Sequence, residues 1–192
     1  MTQQLIHIQW EGPLRWLEVM GGPFLRDTTT DFGIYQIYGR HPIYGSDVLM
    51  YIGAAVEETL GARMASDGWV LGGDPQRVTV YIGRLASDKT PDTAQWAREI
   101  LLAHALLVRA HLPALNNIEW EGWPDEALQP VHVLNWGSYR DLCPELSGHR
   151  WTTRHNDIPG YGAYGSHPRL SPEAAPPAAG VSSPESDPSS QV

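Results

Sequence analysis

Two tripeptides place phenols beside glycines: Gly33-Ile34-Tyr35 and Tyr51-Ile52-Gly53. Arg63 follows them, and Pro113-x-x-Asn116 closes a long apolar-striped segment. A phenol can hydrogen-bond to a phosphate or, once ionised, take a proton from water. Its reference pKa is about 10, so use as a base near neutral pH requires an environment that removes the proton. An arginine guanidinium presents a planar fork that fits phosphate oxygens. Each tripeptide alone is unspecific, since Tyr81-Ile82-Gly83 repeats the second. Their order and spacing carry the signal.

The elements that must position these residues are readable. Leu5 to Trp10, Phe32 to Tyr38, Val48 to Ile52, Arg77 to Ile82 and Val131 to Trp136 read as strands, rich in β-branched and aromatic residues. Ala54 to Ser66 reads as a helix ended by Asp67-Gly68. Thr93 to His111 reads as the longest helix, with Trp96, Ile100, Ala103, Leu107 and Ala110 on one stripe. Pro91 and Asp92 start it and Pro113 stops it. Strands mixed with helices predict a small α+β layer fold.

The chain has 192 residues and a net charge of −9, with 42% hydrophobic residues, enough for a core. The acidic balance argues against wholesale electrostatic binding of nucleic acid. Every cation except Lys89 is an arginine, a bias that base composition alone can produce. The single Cys143 excludes an internal disulfide framework and a multi-cysteine zinc site. No apolar run is long enough to span a bilayer, and Met1-Thr2-Gln3-Gln4 does not open a signal peptide. The expected compartment is the cytoplasm, with no membrane partner. No phosphate-binding loop of the P-loop type occurs, so nucleotide hydrolysis is not supported.

Taken together, Gly33-Ile34-Tyr35, Tyr51-Ile52-Gly53, Arg63 and Pro113-x-x-Asn116 resemble the GIY-YIG nuclease family over residues 31 to 117. The resemblance implies a small antiparallel sheet flanked by helices and cleavage of DNA with one divalent metal, Mg or Mn. It implies Tyr35 as the base, Tyr51 as a phosphate-binding or supporting phenol, and Arg63 as the phosphate clamp. Gly33, Gly53 and Asn116 take structural roles. DNA is the implied partner.

The chain departs from that pattern at the metal. The family's metal-binding Glu falls here on His104, and a position where His is frequent falls on Asp67. Carboxylate suits Mg²⁺, whereas imidazole suits softer metals. Three accounts are open: a binding module without the chemistry, a different metal held by His104 and Asp67, or Glu99 acting in a shifted register. Glu99 lies five residues before His104, about 140° away around a helix. The stretch from Gln36 to Met50 is longer than the family's and, with Gly39, Pro42 and Gly45, reads as a loop insertion.

Two alternatives stand beside the endonuclease reading: a non-catalytic nucleic-acid or protein binding module, and a small-molecule domain in which the motifs coincide. Arg63 could instead pair with Glu57 or Glu58, and His104 could be a hydrogen-bonded histidine at the core edge. Arg150, Trp151 and Arg154 interleave cations with an aromatic and are candidate nucleic-acid contacts, or a solvated loop with a packed Trp. The expected domain covers residues 1 to 155. A Gly/Tyr-rich loop (156 to 167) and a disordered Pro/Ser/Ala-rich tail (168 to 192) are expected after it.

Overall fold

Side chains of residues 33 to 38 alternate between two apolar layers. Ile34 and Tyr38 join one core cluster, Tyr35 and Ile37 the other, as the two-residue period of a strand requires. A computed structural model describes residues 3–68, 75–87, 92–116 and 125–152, all within the unit Met1–Asp157. Arg154, the Gly/Tyr-rich stretch and the tail lie outside the described residues.

In chain order the elements are β1 (Gln4–Arg15), α1 (Trp16–Met20), β2 (Gly33–His41), β3 (Gly45–Ala55) and α2 (Leu60–Ser66). A 3-10 turn (Pro75–Arg77) leads to β4 (Thr79–Leu85) and α3 (Thr93–His111). Then come α4 (Asp125–Leu128), β5 (Val131–Gly137), β6 (Glu145–Ser147) and α5 (Gly148–Thr152). The fold is α+β. Six strands form one curled sheet in the order β3-β2-β4-β1-β5-β6.

Within residues 31 to 117 the sheet is antiparallel, as expected, with β2 paired to β3 and β4; the strands added outside that core make the whole sheet mixed. β1 runs parallel to β5, from Gln4↔Val131 to Trp10↔Gly137, while the other pairs are antiparallel. A parallel pair needs a long crossover, and the chain between β4 and β5, which includes α3, returns to the far side of β1. Ile100, Leu102, Ala103, Leu106 and Leu107 of α3 pack on one sheet layer with Ile6, Ile8 and Trp10. Trp16 and Val19 of α1 and Leu60 and Met64 of α2 cover the other. Among the described residues, no helix is long and apolar enough to cross a membrane.

Two local expectations change. The helix expected from Ala54 begins at Leu60, because Ala54 and Ala55 pair with Ile34 and Gly33 in the sheet. Cross-strand pairing captures residues whose own propensity is helical. The stretch read as a loop insertion is a hairpin: β2 and β3 pair as far as His41↔Gly45.

β3 is an edge strand, and an uncovered edge invites further strand pairing. The chain after α3 covers it. The Ala114 and Leu115 amides donate to the Leu49 and Met50 carbonyls at 3.2 and 2.8 Å. The Asn116 side chain then accepts from the Ile52 amide and donates to the Ile52 carbonyl, both at 2.9 Å. Pro113-x-x-Asn116 thus has a physical role as an edge clasp.

Candidate functional site

β2 presents Tyr35 to the layer beneath α2, and α2 ends at Asp67. Arg63 and Asp67 are one turn apart, so their side chains share a helix face. The Tyr35 hydroxyl donates to Asp67 Oδ2. Arg63 Nε lies 3.4 Å from the same oxygen, and Arg63 NH1 lies 3.7 Å from Glu58. The buried Arg63 Nε has no aligned hydrogen-bond acceptor, so its tie to Asp67 is Coulombic. The rings of Tyr35 and Tyr51 are 6.3 Å apart at 47°. Tyr35, Tyr51, Arg63 and Asp67 therefore converge, although they come from β2, β3 and α2.

The two glycines of the motifs make this approach possible. A β-carbon at Gly53 would collide with the Tyr35 ring, which crosses the backbone there. One at Gly33 would meet the Gly83 carbonyl oxygen on the neighbouring strand.

The environment sets what each group can do. Tyr35 is fully buried. Burial, then the hydrogen bond to Asp67, drives its pKa far above the usual phenol range. The phenol sequence reasoning placed as the base is thus held protonated and away from solvent. Burial, then the charge on Asp67, also raises the pKa of Tyr51. Tyr51 is only partly buried, and the Arg63 side chain is 41% exposed. These two side chains form the solvent-facing part of the cluster. Asp67 is buried and engaged by both Tyr35 and Arg63.

His104 stands where the resemblance puts the metal-binding Glu. Its Nε2 lies 3.1 Å from the Ile52 carbonyl oxygen. A carbonyl only accepts, so Nε2 carries the proton and donates. Burial lowers the His104 pKa, which favours this neutral form. His104 and Asn116 thus hold the same carbonyl, in the middle residue of Tyr51-Ile52-Gly53. Glu99 does not replace it: its carboxylate accepts from Gln95 at 2.9 Å and from Gln4 of β1 at 3.4 Å.

These residues do not fit a hard divalent ion. A Mg²⁺ or Mn²⁺ site needs oxygen ligands. Asp67 is committed to Tyr35 and Arg63, and the His104 proton points at a backbone carbonyl. Among the described residues, no group of three His, Cys, Asp or Glu side chains is placed to hold a metal.

The remaining candidates lie elsewhere. Arg150 and Trp151 are exposed on α5, which packs on α3, α4, β5 and β6, whereas β3 is the opposite sheet edge. They do not join the cluster. A groove of about 290 Å³ lined by Arg84, Trp96 and Glu99 shares no residue with it either. Sequence reasoning missed the Tyr35–Asp67 pair and the edge clasp. The helical spacing of Arg63 and Asp67 was a visible signal for the first.

Comparison with known protein families, characterised proteins and solved structures finds no match to this chain.

Proposed function

We propose that this is a GIY-YIG-type domain that binds the phosphodiester backbone of DNA without cleaving it through a metal. One observation carries the reading: the imidazole of His104, at the family's metal-ligand position, donates to the Ile52 carbonyl. The position supports the strand that carries Tyr51. Arg63 and Tyr51 remain as a cation and a phenol at the surface, suited to a phosphate oxygen. Glu58, 3.7 Å from Arg63, competes for the same guanidinium. An incoming phosphate displaces a weak, exposed ion pair.

A nuclease reading keeps one observation in its favour, the convergence of Tyr35, Tyr51, Arg63 and Asp67. Nicking of supercoiled plasmid with Mg²⁺ or Mn²⁺, beside duplex binding by anisotropy, separates the two. The expected result is binding that weakens in Arg63→Ala and no nicking. Nicking by the native chain that Arg63→Ala abolishes would overturn the binding reading. Absence of both binding and nicking would overturn the assignment to DNA.

A further inference from the structure

The turn between β2 and β3 exposes two adjacent apolar side chains. Ile43 is 82% and Tyr44 67% exposed. Isolated exposed apolar residues are ordinary, but these two are neighbours and are held in place. The His41 Nδ1 accepts from the amides of Ile43 and Tyr44 at 3.2 and 3.1 Å. The His41 ring also stacks on Tyr44, with centroids 4.5 Å apart at 20°. Below the turn, Arg140 pairs with Asp47 and lies 3.7 Å above the Tyr38 ring. The tip is thus ordered before any partner arrives, which lowers the entropy cost of binding. Arg140 is shared between Asp47 and Asp141, and the exposed Arg40 adds a second cation beside the tip.

We propose that this tip is a wedge for duplex DNA. Ile43 and Tyr44 enter between neighbouring base pairs, and Arg40 meets the flanking phosphate. The inference rests on the DNA-binding reading above and deepens it. An apolar side chain inserted at a base step unstacks and kinks the duplex, and a phenol face stacks on an exposed base. Continuity supports this occupant: the strands that carry Tyr35 and Tyr51 run on to the tip. From Tyr51 back to Tyr44 the chain covers roughly 23 Å at a strand rise of about 3.3 Å per residue. At about 3.4 Å per base step, that is roughly seven steps from a phosphate held beside Tyr51.

The test uses the full chain and duplexes with 2-aminopurine scanned along one strand, read by anisotropy and by 2-aminopurine fluorescence. Native protein should bind and raise the fluorescence at one step. Ile43→Ser/Tyr44→Ala should lose about tenfold in affinity and all of the rise, with an unchanged melting temperature. Arg63→Ala should weaken binding yet keep the rise in the complex that forms. Native affinity in the double variant, or a native complex without any rise, would overturn the wedge while leaving DNA binding intact. A dimer in sedimentation that the double variant dissociates, with DNA affinity unchanged, would overturn it in favour of self-association. No binding by the native chain would sink both readings together.

Discussion

The ring of Tyr35 lies across the backbone of Gly53, its cross-strand partner, so closely that no β-carbon fits at position 53. The first motif's phenol therefore depends on the second motif's glycine. The contact brings the Tyr35 hydroxyl to Asp67 beneath α2.

Gly53→Ala should destabilise the chain by about 1–3 kcal/mol, because the Tyr35 ring must move within a packed layer. Gly39→Ala is the control: its β-carbon would meet Met50 and Val78 at ordinary contact, 3.6 and 3.7 Å. Urea unfolding of both reads the difference. Equal midpoints would remove the steric account.

Asn116→Ala should cost about 1–3 kcal/mol, since it leaves the Ile52 amide without its side-chain acceptor. The carbonyl keeps His104. Asn116→Asp can still accept from the amide but sets a carboxylate against the carbonyl, so it should not restore stability. Chemical denaturation checks both. A native-like Asn116→Asp would show that the donation to the carbonyl is dispensable.

Stability should fall as pH rises above about 10, the unfolded tyrosine value. Tyr35, Tyr38 and Tyr51 all have raised folded pKa values, with burial as the first cause. Above that pH the unfolded chain loses protons that the folded chain keeps, which favours unfolding. Tyr35→Phe should flatten part of this decline. Melting temperature against pH, with tyrosinate absorbance, measures it.

Stability should also fall as pH drops below about 6.5, the unfolded histidine value. Burial lowers the folded pKa of both His104 and His111. The unfolded chain then binds protons that the folded chain resists. His104→Gln keeps a side-chain donor for the Ile52 carbonyl and should lose part of the acid slope, leaving the share due to His111. An unchanged slope would mean that His104 does not titrate on unfolding.

Under the proposed binding of DNA, affinity should depend weakly on salt. With Arg63 and Arg40 as the phosphate contacts, log K should fall with log salt at a slope of about −1 to −2. A slope near −5, measured by anisotropy titration, would require cations outside these two residues.

Local chemistry made much of the framework legible. Asp92 caps α3 by accepting from the Gln95 amide at 2.8 Å, and Pro113 follows its end. A β-branched and aromatic composition located β2 and β4, and the motif order picked out the residues that converge. Short elements were not legible: α1, α4, β6 and α5 are too brief to show a period. The start of α2 was misplaced because sheet pairing of Ala54 and Ala55 outweighs their helical propensity.

The amino-acid sequence by itself determined which side chains are present, the long helix with its cap, and the glycines that permit close approach. It left three accounts of His104 open, because an imidazole on a helix carries no mark of its partner. Tertiary structure decided that the partner is the Ile52 carbonyl, that the Tyr35 proton goes to Asp67, and that Asn116 closes the β3 edge. Each is a contact between residues more than 30 positions apart. Directional hydrogen bonds and burial form only once the sheet and its two helical layers have brought those residues together.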